Sequence, residues 1–501
     1  MRTNILQYLE ETAARVPEKV SFSDGKDSVT FAELYRGARS IGSFLAENKC
    51  RRRAVAVLMD KHPHAIVTFM GIIYSGAYYV ALDAQMPSLR MQMIIDTIDP
   101  VFIITDEKHK KTADALGREV LIYSDIVNHT DNIELLDNIR AKQIDTDPIY
   151  VVFTSGSTGV PKGVAACHRS VIDYTESLCE AIGFDENTVF GNQTPLYFDA
   201  PLKEIMPTLK FGATAYLIPK QLFMFPVKLV EYLNEHGVNT ICWVVSALTM
   251  ISSLGVLEKT PPEHLTTVCF GSEVFPKKQY ELWRNALPNA RFFNLYGPTE
   301  ATGMSCYWPA TRTLAENEPI PVGKPFKNTD IFLITDEGNE APDGEVGEIY
   351  IRGTCVTLGY ISNPEKTAEA FVQNPLNNKY PELVYRTGDL GRFNQYGELE
   401  FVSRKDSQIK HMGHRIELGE IEAAASTCEG VRQVCAVYPA EKKKIVLYYV
   451  GEATSAELTA YLLKLVPRYM IPGEYRQLET MPLTANCKIN RKFLLDEASQ
   501  S

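Results

Sequence analysis

Apolar residues recur at Ile5, Leu6, Leu9, Ala13 and Val16 near the start of the chain, with Asn4 available as an N-cap and Pro17 as a stop. That spacing predicts an amphipathic helix. Residues 20–22 and 28–31 flank Asp24-Gly25 and read as a short hairpin. Apolar runs at 53–59 (R-A-V-A-V-L-M), 78–82 and 101–105 then alternate with helix-period segments, the βαβ rhythm of a parallel, helix-covered sheet. Strand-like runs resume at 213–218, 240–245, 267–270 and 291–294, and their near-continuous apolar character suits strands covered on both faces. Between 330 and 360 the texture changes to short strands with turn signals at Asp336-Glu337-Gly338 and Asp343-Gly344, which predicts an antiparallel or barrel-like subdomain.

A further hairpin is signalled over 393–402, followed by the polar bridge S-R-K-D-S-Q-I-K-H-M-G. Beyond it, 418–426 and 455–465 read as helices and 431–438 and 444–449 as strands. The expected fold class is α/β: a large N-terminal domain, 1–405, of helix-covered, mostly parallel sheets plus a barrel-like subdomain, and a small α+β C-terminal domain, 406–501. The pattern contains no internal repeat, heptad run or low-complexity tract.

Composition changes this picture only at its edges. A chain of 501 residues exceeds what one hydrophobic core usually serves, in keeping with two or more domains. The formal charge, 51 − 62 = −11, disfavours nucleic acid or an anionic membrane as a general partner, while leaving room for a local basic patch. Ten scattered cysteines without a C-x-x-C pair indicate neither a zinc site nor a disulfide framework. The first residues lack the continuous apolar stretch of a signal peptide, and no uncharged apolar run approaches the roughly 20 residues of a membrane span. A cytoplasmic location is expected.

The chemistry concentrates at 149–163, I-Y-V-V-F-T-S-G-S-T-G-V-P-K-G, a β-branched and aromatic run that breaks into small residues. It reads as a strand feeding a loop in which Gly156, Gly159 and Gly163 free the backbone. Thr154, Ser155, Ser157 and Thr158 supply hydroxyls and Lys162 a charge, the ingredients of a triphosphate cradle. The Walker A pattern is missing, because Lys162 lies between proline and glycine. A flexible linker has a similar composition, but the flanking strand and the lysine argue for the cradle.

T-S-G-S-T-G-V-P-K-G resembles the phosphate-loop signature of the adenylate-forming superfamily, which includes acyl-CoA synthetases, luciferases and amino-acid adenylation domains. Further signatures recur in the family's order up to Lys488. Asn294-Leu295-Tyr296-Gly297-Pro298-Thr299-Glu300 resembles its nucleotide motif, which implies that Tyr296 stacks on adenine, Thr299 reaches the α-phosphate and Glu300 holds Mg²⁺. The resemblance adds Asn294, Gly297 and the segment Gly271-Ser272-Glu273 to the nucleotide site. Taken alone, Gly-Pro-Thr-Glu also suits a turn and helix cap.

Tyr385-Arg386-Thr387-Gly388-Asp389-Leu390 matches the motif whose aspartate accepts from both ribose hydroxyls, which makes Asp389 a ligand rather than a turn residue. Ser403-Arg404-Lys405-Asp406, with Gly413 after it, resembles the family's hinge: Arg404 near ribose and phosphate, and Asp406 absorbing the backbone change as a mobile C-terminal domain rotates. A plain polar linker is the alternative. Pro482-Leu483-Thr484-Ala485-Asn486-Cys487-Lys488 resembles the loop of the adenylation lysine, implying that Lys488 bridges the substrate carboxylate and the α-phosphate. Cys487 stands where glycine is usual, and Asn490 where aspartate is common.

Tyr197-Phe198-Asp199-Ala200 matches the substrate motif of amino-acid adenylation domains, in which the aspartate pairs with the substrate ammonium. A fatty-acid or aryl substrate leaves such a carboxylate unpaired, so an amino acid is favoured. The resemblance places Phe198, Ala200, Lys203, Cys242, Cys269, Gly271, Leu295, Gly303, Met304 and Lys488 around it, most of which also suit an ordinary core. Where D-alanine ligases tend to have cysteine, Gly271 precedes Ser272-Glu273-Val274, so D-alanine is not favoured. Asp199 can cap a helix with Pro201 in its first turn, and the i to i+4 spacing of Asp199 and Lys203 puts both charges on one face. Lys203 then either meets an acidic substrate side chain or pairs internally.

The resemblance implies an ATP- and Mg²⁺-dependent enzyme that forms an aminoacyl-AMP and passes it to the phosphopantetheine thiol of a separate carrier protein. Neither a carrier's serine motif nor the paired histidines of a condensation domain is present, as in a free-standing activating enzyme of undetermined oligomeric state. The alternatives are an acyl-CoA or aryl-acid ligase, or a degenerate nucleotide-binding member, the latter motivated by Cys487 and Asn490.

Overall fold

The apolar runs become buried parallel strands because helices cover both faces of the sheets they build. The computed structural model describes residues 2–500 apart from 157–159, 317, 407 and 484–488. One six-stranded sheet has the order Val120–Ile122, Phe102–Thr105, Ala54–Leu58, Tyr78–Ala81, Pro148–Thr154, Lys162–Cys167. Its pairings from Val120–Ile122 to Pro148–Thr154 are parallel, and Ala54–Leu58 is buried at every position. A nine-stranded sheet carries Thr214–Leu217, Val189–Asn192, Thr240–Val244, Thr267–Gly271 and Arg291–Tyr296 as parallel neighbours. The hairpin Val20–Ser23 and Ser28–Thr30 finishes one edge and the antiparallel strand Cys306–Pro309 the other side.

In open parallel sheets ligands gather beyond the carboxyl ends of the strands. Asn192, Val244, Gly271 and Tyr296 all end strands of the nine-stranded sheet, so the motifs that follow them emerge along one edge. The barrel-like subdomain is a five-stranded antiparallel sheet in which Leu383–Phe393 pairs with Gly347–Gly353, Phe371–Gln373 and Leu399–Arg404. Its register sets Asp389 opposite Arg404.

Contacts divide the chain into two compact units: Met1–Ala84 with Ile98–Val152 and Gly163–Lys405, and Gln85–Thr97 with Phe153–Lys162 and Asp406–Ser501. The second unit contains the hairpin Gln408–His411 and His414–Glu417, the helix Leu418–Ser426 and a three-stranded sheet of Val431–Val437, Val446–Gly451 and Glu474–Gln477. Ile421, Leu447, Leu458 and Leu462 form part of its core, and a Thr454–Glu457 capping box starts the helix Ser455–Leu462. No helix among the described residues is long and apolar enough to cross a membrane.

The first helix runs Leu6–Arg15 and is anchored from outside. Asn4 Oδ1 accepts from Leu6 N–H (3.0 Å), and Ile5 N–H donates to His168 Nδ1 (3.2 Å). Burial pushes the His168 imidazole down to about 3, helped by the charge of Arg140. A folded pKa below the unfolded value means that stability is fully present above pH 6.5 and drains away as pH falls toward 3. Between pH 7 and pH 5 the loss is expected to be about 2 kcal/mol, read as the difference between urea unfolding curves. His168→Gln should flatten that difference; an unchanged slope would assign the acid sensitivity to other groups.

Candidate active site

After strand Val189–Asn192 the chain passes through Tyr197-Phe198-Asp199-Ala200 into the helix Leu202–Phe211. Asp199 is not the side-chain cap expected from the pattern. Pro201 is the N-cap residue, no side chain caps the first turn, and it is the Asp199 carbonyl that accepts from Leu202 N–H (3.0 Å). The carboxylate takes no part in the turn and feels the Thr299 side chain, which links the substrate motif to the nucleotide motif. Burial, with a smaller push from Glu300, raises the Asp199 carboxyl above its ordinary range, while Thr299 and Lys203 pull it down.

Gly303 and Tyr174 lie against this carboxylate. A Cβ built on Gly303 would stand 3.9 Å from Asp199 Oδ2 and 3.8 Å from the Tyr174 hydroxyl. Lys203, Leu295, Met304, Cys242 and Cys269 are buried, and Phe198 and Ala200 are half-buried. Cys242 and Cys269 are register partners on adjacent strands. Burial raises the Cys242 thiol far above neutrality, so it is no thiolate nucleophile. Gly271 is needed where it stands, because a Cβ there would lie 2.2 Å from the Leu295 carbonyl oxygen.

The nucleotide motif continues strand Arg291–Tyr296. Asn294 Nδ2 donates to the Pro321 carbonyl (2.8 Å), fixing the strand end. The Tyr296 hydroxyl donates to Asp389 Oδ2 (2.6 Å) and Arg404 Nη1 to Asp389 Oδ1 (2.6 Å). Asp389, Arg404 and Tyr296 are thus brought together around one buried carboxylate. Glu300 is fully buried and accepts from the Tyr360 hydroxyl (2.8 Å). The carboxylate of Glu300 supplies hard oxygen of the kind a divalent cation takes.

Gly297 permits close passage of the backbone, since a Cβ there would meet Met304 Cα at 2.4 Å. Ser272 adopts φ +66°, and Glu273 accepts from Ser246 N–H (2.7 Å) at the first turn of the helix Val245–Ser253. That capping contact is a structural use of Glu273 which the motif alone did not reveal.

The phosphate loop's described residues belong to the second unit. Ser155 Oγ donates to the Arg415 carbonyl (2.9 Å), and Gly156 N–H donates to Glu420 Oε2 (3.2 Å). Thr154 Oγ1 donates to the Lys162 carbonyl (3.5 Å), and Lys162 Nζ stands 4.0 Å from Glu417 Oε1. Arg90 is paired with the Glu420 carboxylate, which burial pushes above its usual range. The Gly156 amide thus donates to a carboxyl oxygen of Glu420. In the same unit Asp406 Oδ1 accepts from Gln408 N–H (3.1 Å). Ser157, Thr158, Gly159 and Lys488 lie outside the described residues.

Sequence reasoning missed Tyr174, Lys61, Tyr360 and the buried Glu204. Burial lowers Lys61 to about 7, and its ammonium donates to the carbonyls of Asn192 (3.1 Å) and Gln193 (2.9 Å). Glu204 is raised to about 8 by burial, with Lys203, Asn192 and Lys61 opposing.

Residues 9–361 match the family described as AMP-binding enzyme. The chain is similar to zwittermicin A synthase ZmaJ of Bacillus cereus, at 31% identity over 99% of this chain and 95% of that protein. Other relatives at 30 to 32% identity are much longer, and the chain spans between 6% and 45% of them. Its fold is similar to NpsA-ThdA, an artificially fused adenylation-PCP di-domain from Klebsiella oxytoca (TM-score 0.81, 22% identity, 95% of this chain and 94% of that one). It is also similar to o-succinylbenzoate CoA synthetase, MenE, of Bacillus subtilis (TM-score 0.84, 21% identity, 99% and 98%). The phosphate-loop, nucleotide and ribose motifs and this family match agree: the chain belongs to the AMP-binding enzymes of the adenylate-forming superfamily, alongside the adenylation domains of nonribosomal peptide synthetases.

Proposed function

We propose that the protein activates an amino acid with ATP and transfers it to the phosphopantetheine thiol of a carrier protein. The observation that carries the reading is the Asp199 carboxylate, which the turn leaves unused and which lies against Gly303 beside Tyr174, raised by burial. A substrate ammonium supplies the counter-charge that this partly desolvated carboxylate calls for.

In this reading residues 1–405 bind both substrates. Asp389 takes the ribose hydroxyls between Tyr296 and Arg404, and Thr154 to Gly159 with Lys162 take the β- and γ-phosphates. Asn294, Gly297 and Gly271-Ser272-Glu273 shape the adenine side. Glu300 would hold Mg²⁺, which when bound would neutralise phosphate charge. Thr299, beside Asp199, orients the substrate carboxylate toward the α-phosphorus, and Lys488 stabilises the charge that develops between them. A carboxylate oxygen bonds to the α-phosphorus as the bridge to the β-phosphate breaks and pyrophosphate leaves.

Residues 406–501 then rotate about Asp406, and the carrier thiol attacks the acyl carbon, releasing AMP and a proton. PA1221, a protein of similar fold that contains adenylation and PCP domains, supports a carrier as acceptor. MenE, a CoA synthetase on the same fold, keeps an acyl-CoA or aryl-acid ligase as the competing reading.

Pyrophosphate exchange across a panel of amino acids and simple carboxylic acids tests this. Exchange dependent on an amino acid, and lost in Lys488→Ala, is expected. Exchange only with acids lacking an amino group would overturn the reading, and exchange with no acid at all would point to a degenerate nucleotide binder.

A further inference from the structure

Strand Val189–Asn192 is the one whose continuation carries Asp199, and its sheet releases it early. Its register with Thr240–Val244 stops at Gly191, opposite Ile241, and its register with Thr214–Leu217 stops at Asn192, opposite Leu217. Past those positions the backbone has left the ladder, and its carbonyls need donors from elsewhere. Lys61 supplies them. Its ammonium donates to the Asn192 carbonyl (3.1 Å) and to the Gln193 carbonyl (2.9 Å). Lys61 lies just past the carboxyl end of strand Ala54–Leu58 and before the helix Pro63–Tyr74, so this one side chain joins the six-stranded sheet to the strand end of the nine-stranded sheet.

The same strand end is held from its other sides by weaker or less direct bonds. Trp243 Nε1 donates to the Gly191 carbonyl (2.7 Å), Val244 N–H to Gln193 Oε1 (3.4 Å), and Asn192 Nδ2 to Glu204 Oε2 (3.5 Å) on the helix Leu202–Phe211. Between Gln193 and that helix the chain makes two short turns, in which Phe198 N–H donates to the Pro195 carbonyl (3.3 Å) and Leu202 N–H to the Asp199 carbonyl (3.0 Å). Asp199 therefore stands six residues beyond the carbonyls that Lys61 holds, on a linker fixed at both ends. Two charge-assisted bonds to successive carbonyls set the direction of the departing backbone as well as its position.

We infer that Lys61 is a positioning residue for the amino-acid site: by clamping the Asn192 and Gln193 carbonyls it fixes the strand end from which the Asp199 turn departs. The inference rests on the reading of Asp199 as partner of the substrate ammonium and adds what holds that carboxylate in place. Lys61 acts through Asp199 and not on the substrate. An ammonium–carboxylate contact weakens steeply once its geometry departs from hydrogen-bond distance and angle, and a displacement of about 1 Å caused far from the chemistry costs up to about a hundredfold in rate. The nucleotide residues Tyr296, Asp389 and Arg404 brace one another without this strand end, so the clamp bears on one substrate only.

The test is pyrophosphate exchange with the amino acid that wild-type enzyme prefers, found from a panel of amino acids and of simple acids lacking an amino group. Lys61→Met is expected to raise KM for that amino acid by about tenfold or more, with KM for ATP within about twofold of wild type. A double-mutant cycle then asks whether the effect runs through Asp199. In an Asp199→Asn background Lys61→Met should add less than about twofold, because the contact it positions is already lost. If Lys61→Met does not fold, Lys61→Gln, which keeps a donor on a shorter stem, carries the same cycle. An unmoved KM for the amino acid, an equal loss on ATP, or full additivity with Asp199→Asn overturns the inference and leaves amino-acid activation standing. Exchange only with acids lacking an amino group removes the amino-acid reading itself, and the role of Lys61 with it.

Discussion

Replacing Asp199 by alanine is expected to lower kcat/KM for the amino acid by about two to four orders of magnitude, since removing one partner of a desolvated charge pair costs about 3–5 kcal/mol. The loss should fall on the amino-acid side, with KM for ATP nearly unchanged, because the nucleotide residues hold one another through Asp389, Tyr296 and Arg404 and not through Asp199. Asp199→Asn is the sharper variant. It keeps a side-chain oxygen beside Thr299 but carries no charge, so a large loss here assigns the effect to the ammonium and not to the turn. Steady-state exchange at saturating ATP measures both variants. A substrate that loses its amino group without penalty in wild-type enzyme would sink the assignment.

The fold was largely legible because its strands are short and fully apolar. Thr240–Val244 and Thr267–Gly271 are buried at every position, so their sequences carry no alternation and can belong only to covered strands or buried helix. The motifs were legible as strings for a related reason: each follows a strand end, where a turn must form and small or polar residues mark it. What the strings concealed is which backbone or side-chain group meets each motif residue.

Asp199 shows this most directly. Its spacing to Pro201 suggested a cap, yet the proline occupies the cap position and the carbonyl serves the turn, which leaves the carboxylate for chemistry. Glu273 shows the converse, a motif residue spent on the N–H of Ser246 27 positions away. Tyr174 on helix His168–Ile182 and Lys61 after strand Ala54–Leu58 reach the Asp199 region through tertiary packing alone, and no local pattern announces such partners. The partner of the Gly156 amide, Glu420, lies 264 positions away in the sequence.

The ribose site yields an expectation of similar size on the other substrate. An ionised carboxylate offers about four lone-pair sites. Asp389 has committed one oxygen to Tyr296 and the other to Arg404, so each oxygen keeps capacity for one of the two vicinal ribose hydroxyls. Hydrogen bonds to a charged group are worth about 1.5–3 kcal/mol each, so Asp389→Ala should raise KM for ATP by about a hundredfold or more. KM for the amino acid at saturating ATP should change little, the mirror image of the Asp199 variants. Removing Asp389 also strips Arg404 and the Tyr296 hydroxyl of their partner, so a fall in thermal stability is expected beside the kinetic loss. Deoxynucleotides separate the two effects. In wild-type enzyme 2′-deoxy-ATP should be used about tenfold less well than ATP, one hydrogen bond being lost. In Asp389→Ala that penalty should vanish, because the acceptor it reports on is gone. A penalty that persists in the variant would mean that another group holds the ribose, with Asp389 serving only to brace Tyr296 and Arg404.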